Sequence, residues 1–108
     1  MELTGKCKEG FKEWWINFMD QEMSIHTFIQ QHKSMQYGIY VDFFDSVGVI
    51  IEITPYFDSV TEVMLWFFTL ENKKCMHLNS HLENKAKTRP EARLLAIQKA
   101  NEIYNDAH

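Results

Sequence analysis

The hydrophobic positions near the start of the chain are spaced as in an α-helix. Four aromatic residues stand at i, i+3, i+4 and i+7, namely Phe11, Trp14, Trp15 and Phe18. This period is typical of an amphipathic helix with one apolar stripe. The pattern loosens over residues 22–24 and resumes at Ile25, so we expect a helical segment over residues 10–33 that is kinked or divided, with Ser24 capping its second half. Residues 1–9 are expected to form an N-terminal arm.

In the centre of the chain the period changes to that of β-strands. Residues 37–44 place alternate side chains on two faces, which predicts a first strand, and residues 45–48 follow as a turn. Val49–Thr54 is rich in β-branched residues and predicts a second strand. We expect this strand to end at Pro55, because proline cannot donate to a central ladder.

Further strand signals follow this proline. The apolar run Val63–Leu70 predicts a third strand, and the polar residues 71–74 suit a hairpin loop. Residues 75–78 are a candidate fourth strand. Together these segments predict an antiparallel meander of three or four strands over residues 37–79.

The last helix is indicated most directly by its first turn. Thr88 and Glu91 match a capping box, and Pro90 stands in the first turn, where its missing N–H does no harm. The helix is expected over residues 88–105. Three alanines share one side of it and should allow close packing across the sheet: Ala92, Ala96 and Ala100.

Length and composition fit one α+β domain. The chain has 108 residues, of which 45% are hydrophobic and 24% charged, so it is long enough for one core and too short for two. We expect the order α-β-β-β-(β)-α, with an antiparallel sheet between an N-terminal helical segment and a C-terminal helix.

The cysteines and the apolar runs bear on the compartment. Cys7 and Cys75 lie far apart, whereas a small secreted scaffold usually carries four or more cysteines. The longest apolar runs fall well short of membrane-spanning length, and the first residues lack the apolar region of a signal peptide. We therefore expect a cytoplasmic protein with no membrane partner.

Charge divides the chain into two parts. The net charge is −4, but residues 34–72 contain six acids and no Lys or Arg, whereas residues 73–93 contain six bases and two acids. Such asymmetry governs attraction to partners and encounter rates. We expect a molecule with one acidic and one basic side.

No catalytic pattern emerges from the candidate chemical groups. Cys75, His77 and His81 supply three possible metal ligands, but a structural zinc site needs four. Carboxylate pairs such as Asp42 and Asp45 occur without any phosphate-binding loop or hydrolase motif beside them. We therefore expect no enzyme, metal or cofactor.

The acidic, aromatic middle of the chain is instead the predicted partner-binding surface. Two terminal helices are not expected to cover both faces of the sheet, so one face should present carboxylates with aromatic anchors. The predicted contact residues are Asp42, Asp45, Glu52, Asp58, Glu62, Tyr40, Phe44 and Tyr56. Such a surface is complementary to a cationic protein.

RNA binding is the alternative prediction. The expected element order is that of double-stranded-RNA-binding domains, which contact grooves with basic loops and a basic helix start. The residues that would do so are Lys73, Lys74, Lys85, Lys87, Arg89 and Arg93. The negative net charge disfavours this alternative, because nucleic-acid binding relies on neutralising phosphates.

Two segments also carry a resemblance to a known group of proteins. Residues 34–48, SMQYGIYVDFFDSVG, and residues 87–92, KTRPEA, resemble small proteins that are common in phage and prophage genomes. The chain is similar to anti-CRISPR proteins in size and acidity. This resemblance implies a bacterial host cytoplasm and a non-enzymatic inhibitor of a defence effector, most directly an RNA-guided CRISPR nuclease, which holds its nucleic acids in positively charged channels.

Overall fold

The α+β order predicted from the sequence is confirmed. A computed structural model describes residues 2–18, 28–72 and 84–108 of the chain. Within these residues the elements are α1 (Gly5–Phe18), α2 (Lys33–Ser46), β1 (Val49–Asp58), β2 (Val63–Asn72), β3 (Lys85–Ala86) and α3 (Arg89–Ala107). The three strands form one antiparallel sheet in the order β1-β2-β3. The candidate fourth strand at residues 75–78 and the proposed cap Ser24 lie outside the described residues.

The register of the sheet determines which side chains share a face. Ile51 lies opposite Leu70, Ile53 opposite Phe68, and Trp66 opposite Ala86. Because side chains alternate along a strand, these residues define one face, which we call the inner face. Ile51, Phe68, Leu70 and Ala86 are buried there.

Helix α3 covers the inner face and organises the fold. It contacts all three strands and also α1 and α2. Ala92, Ala96 and Ala100 are completely buried along it, as the small-residue stripe predicted. Its start is also as expected, because the Thr88 hydroxyl accepts a hydrogen bond from the Glu91 N–H at 3.3 Å and Pro90 lies in the first turn.

The expected N-terminal arm over residues 1–9 is wrong, because α1 begins at Gly5. Its free N–H groups are capped from α3. Asn101 Oδ1 accepts from the Thr4 N–H at 2.9 Å, and Asn105 Oδ1 accepts from the Cys7 N–H at 2.8 Å. A cap supplied by residues about a hundred positions away leaves no signal near the start of the chain.

The predicted first strand at residues 37–44 is also wrong, because these residues lie within α2. The helix is favoured because it buries Tyr40, Phe43 and Phe44 together, whereas a strand would expose one of the two adjacent phenylalanines. The helix ends at Ser46, and Gly48 follows with φ +89°, a conformation that favours glycine. The helical segment expected over residues 10–33 is confirmed for residues 10–18, which lie in α1, whereas residues 19–27 lie outside the described residues and α2 begins at Lys33.

Strand β1 continues past Pro55, where it was expected to end. Pro55 pairs with Trp66, and the ladder extends to Asp58 opposite Val63. Within the described sheet β1 is an edge strand, and an edge tolerates a residue that lacks an N–H on its open side.

An aromatic cluster forms the core on the far side of α3 and α2. The ring of Phe11 lies 5.1–6.0 Å from five other rings, those of Trp14, Trp15, Phe28, Tyr40 and Phe43. Much of the unusually high aromatic content is therefore used for packing. None of the helices among the described residues has the length and apolar character needed to cross a membrane.

Candidate functional site

The second face of the sheet, which we call the outer face, is the main candidate for binding a partner. It consists of Ile50, Glu52, Thr54, Tyr56 and Asp58 of β1, Val63, Leu65, Phe67, Thr69 and Glu71 of β2, and Lys85 of β3. All of these residues are exposed or partly exposed, whereas the inner face is buried where α2 and α3 pack. Among the described elements, the helices therefore cover only one side of the sheet.

Two stacked rings stand near the middle of the outer face. Tyr56 and Phe67 are diagonal neighbours across the β1–β2 ladder, because Tyr56 pairs with Leu65. Their ring centroids are 5.0 Å apart and their planes differ by 14°. Half of the Tyr56 surface is accessible to solvent. Large aromatic side chains at such positions are frequent binding hot spots.

Three carboxylates and one base share the outer face with these rings, and the base, Lys85, lies directly opposite Phe67. Glu52, Asp58 and Glu71 are acidic members of the outer face, and Lys85 is its one base among the described residues. The pKa of Asp58 lies below its ordinary value, first because Val60 N–H donates to its Oδ1 at 3.0 Å; Thr61 and Lys85 lower it further. The face therefore carries a negative charge at neutral pH.

The end of the β1–β2 hairpin extends this apolar surface around the edge of the sheet. Phe57 and Met64 pair on the inner face, yet they are 56% and 47% exposed, because the helices do not reach them. Val60, in the turn, is 90% exposed. Exposed apolar residues grouped in this way are typical of interaction surfaces.

The structure brings together only part of the predicted contact set. Glu52, Tyr56 and Asp58 share the outer face, and Glu62 lies in the hairpin turn with φ +57°. The other members lie elsewhere.

Tyr40 and Phe44 are corrections, because they are 5% and 0% exposed in the core and do not serve as surface anchors. Asp42 and Asp45 are exposed on α2 and do not belong to the sheet. Both errors follow from assigning residues 37–44 to a strand.

Two residues of this face, Phe67 and Glu71, are not among the predicted contact residues. Glu52 pairs with Thr69, so the long β1–β2 ladder places Phe67 and Glu71 on the same face as Glu52 and Tyr56. Counting back from a tight turn at residues 59–62 with period-two alternation identifies both residues. The missing information was the continuation of β1 through Pro55.

The predicted basic residues do not form one stripe in the described structure. Lys85 lies on the outer face, Lys87 is exposed beyond β3, and Arg89 and Arg93 are on the inner side beside α2. Lys73 and Lys74 lie outside the described residues. The two arginines line the same groove as Asp42, so the expected separation into one acidic and one basic side does not hold there.

The candidate metal and thiol groups give no site within the described residues. Cys75, His77 and His81 lie outside them, and no group of three His, Cys, Asp or Glu side chains in the described part of the chain is placed to hold a metal ion. Cys7 is buried, and desolvation raises its pKa to about 12, so its thiol is protonated and unreactive at neutral pH. No protein-family model, curated protein or solved structure that was compared with the chain matches it.

Proposed function

We propose that the protein is a non-enzymatic inhibitor that docks on a cationic surface of a partner protein through the outer face of its sheet. One observation supports this proposal most strongly: a stacked aromatic pair, of which Tyr56 is half exposed, lies with three carboxylates on a face that no described helix covers. Apolar anchors supply affinity, and the carboxylates steer the encounter and set the orientation.

The proposed partner is a bacterial RNA-guided nuclease in the cytoplasm of an infected cell. Its guide and target strands occupy positively charged channels, which complement Glu52, Asp58 and Glu71. The resemblance of the chain to small phage proteins supports this choice of partner. Without this resemblance, the outer face supports a less specific proposal, which is that the protein binds to a cationic surface of a partner protein.

Charge reversal tests the electrostatic part of the proposal. Binding of purified, guide-loaded RNA-guided nucleases is measured by bio-layer interferometry, together with cleavage of their target DNA. The Glu52→Lys, Glu71→Lys double variant should bind more slowly and with a weaker salt dependence, because the negative charge of the docking face itself steers the encounter. The matched control is Asp45→Lys, Asp106→Lys, which makes the same change of charge at exposed positions of α2 and α3.

Truncation of the anchors tests the apolar part. Tyr56→Ala removes a half-exposed ring that makes no core contact, and it should weaken binding by about 2 kcal/mol if the ring is a hot spot. Ile16→Ala on α1, another exposed apolar position, should leave binding unchanged. The proposed function would be refuted if the outer-face and control variants changed binding equally. It would also be refuted if the protein neither bound nor inhibited any of the RNA-guided nucleases tested.

A further inference from the structure

A groove on the inner side of the molecule, separate from the outer face, has the properties of a small-molecule site. It runs between α2, the middle of β1 and the start of α3, and its volume is about 480 Å³. Sites for small ligands and cofactors usually have volumes of about 300–1,000 Å³. The groove is therefore large enough for a ligand the size of a mononucleotide.

Two arginines from α3 form one wall of this groove. The Arg89 guanidinium lies 4.4 Å from the centre of the Trp66 ring, and the Arg93 guanidinium lies 5.1 Å from the centre of the Tyr37 ring. Residues four apart on a helix share a face. Each guanidinium thus lies over an aromatic ring, and both arginines line the groove.

The donors of these arginines are largely unused. Arg93 Nη1 donates to Ser34 Oγ at 3.3 Å. In the described part of the chain, the one ion pair within 4.0 Å joins Lys99 and Glu102, so neither arginine is paired with a carboxylate there. Each guanidinium carries five N–H donors in a fork that matches the oxygens of a phosphate. Two such forks lining one groove favour a phosphate as ligand.

The rest of the groove selects against a simple anion. Asp42 lines the opposite wall and repels negative charge, whereas its carboxylate accepts hydrogen bonds from N–H groups. The floor is apolar and includes Ile51 and Ile53. A ligand that satisfies all three walls has a phosphate for the arginines, a flat apolar body for the floor, and adjacent N–H donors for Asp42.

We propose that this groove binds a guanine mononucleotide, with its phosphate on Arg89 and Arg93 and the N–H edge of its base on Asp42. Guanine presents a ring N–H beside an exocyclic amino group, and these two donors match the two oxygens of one carboxylate. Adenine lacks this donor pair. The site does not depend on the outer face, so its test is independent of the proposed function.

Equilibrium dialysis of the full chain against labelled nucleotides tests this proposal. Guanosine monophosphate should bind more tightly than adenosine monophosphate and more tightly than inorganic phosphate. The Arg89→Gln, Arg93→Gln variant should lose at least about tenfold in affinity, since each charge-assisted hydrogen bond contributes strongly. Lys99→Gln removes a charge from the exposed side of the same helix and should leave binding unchanged.

Two further variants separate binding from folding and identify the base contact. If the glutamine variant fails to fold, the Arg89→Lys, Arg93→Lys variant takes its place. It keeps both charges but lacks the planar fork, and it should lose most of the affinity for guanosine monophosphate. Asp42→Asn should abolish the preference for guanosine over adenosine monophosphate while strengthening the binding of inorganic phosphate.

Several results would overturn the proposal. The proposal is wrong if guanosine monophosphate does not bind at millimolar concentration, or if inorganic phosphate binds as tightly as guanosine monophosphate. It is also wrong if Asp42→Asn leaves the preference for guanosine over adenosine monophosphate unchanged. Tighter binding of an oligoribonucleotide, abolished by the arginine variants, would assign the groove to an RNA chain instead.

Discussion

The contact between α1 and α3 at Gly10 provides a sharp test of the packing described above. A Cβ atom at Gly10 would lie 2.3 Å from the Tyr104 hydroxyl oxygen and 3.0 Å from its Cζ. The first distance is about 1 Å shorter than an ordinary contact between heavy atoms. Moving the Tyr104 ring away from an added methyl group would disturb its stacking on His108 at 4.0 Å and its contact with Phe43 at 5.9 Å.

Gly10→Ala should therefore destabilise the protein even though alanine favours helices. Overpacking of a well-filled interface costs about 1–3 kcal/mol, whereas replacing glycine by alanine within a helix gains about 1 kcal/mol. We therefore expect a net loss of up to about 2 kcal/mol in the free energy of unfolding. Urea denaturation measures it as a lower midpoint with an unchanged slope.

Two companion variants identify the cause. Gly38→Ala on α2 meets no atom within 4 Å, so it should gain about 0.5–1 kcal/mol. Tyr104→Phe removes the hydroxyl, and in that background Gly10→Ala should cost less. A gain in stability for Gly10→Ala like that of Gly38→Ala, or an undiminished cost in the Tyr104→Phe background, would refute the close approach of the two helices.

Three further predictions concern the cap of α1, the buried thiol and the hairpin turn. Asn101→Ala removes two hydrogen bonds of 2.9 Å to Thr4 and should lower the free energy of unfolding by about 2 kcal/mol in urea denaturation; a loss within error of zero would contradict the cap. In a Cys75→Ser background, alkylation of Cys7 should be very slow at pH 8 and accelerate only on unfolding, since burial raises its pKa to about 12; rapid labelling of the folded chain would show an open thiol. The pKa of Asp58 is lowered in the folded state from an ordinary value of 3.8, so its contribution to stability is present above that pH and is lost as the pH falls through the folded value. Asp58→Asn should therefore flatten the pH dependence of unfolding in this acid range, and an unchanged profile would remove Asp58 as its source.

Local patterns sufficed where a segment's own residues determine its structure. The capping box at Thr88 and the alanine stripe of α3 identified the C-terminal helix to within two residues of its observed end. The β-branched run from Val49 and the apolar run from Val63 identified the main hairpin. In each case the local preference and the tertiary packing favour the same structure.

The other features of the fold and of the candidate site depend on contacts between residues far apart in the chain, so local patterns did not predict them. Residues 37–44 satisfy both a strand and a helix pattern, and the helix is favoured because Phe43 and Phe44 both find partners in the aromatic cluster around Phe11. The start of α1 depends on the side chains of Asn101 and Asn105. Only some residues of the outer face could be predicted from the sequence, because the Tyr56–Phe67 pair depends on a strand register that continues through Pro55.

Site-specific photo-crosslinking in bacterial cells tests the central claim, binding of a protein through the outer face, most directly. A photoreactive phenylalanine analogue replaces Tyr56 in one variant and Ile16, which is 62% exposed on α1, in another. We predict a covalent adduct with a host protein from position 56 and none from position 16, with the adduct lost when Glu52 and Glu71 are changed to lysine. Crosslinking from position 16 alone, or from position 56 to RNA instead of protein, would contradict the claim.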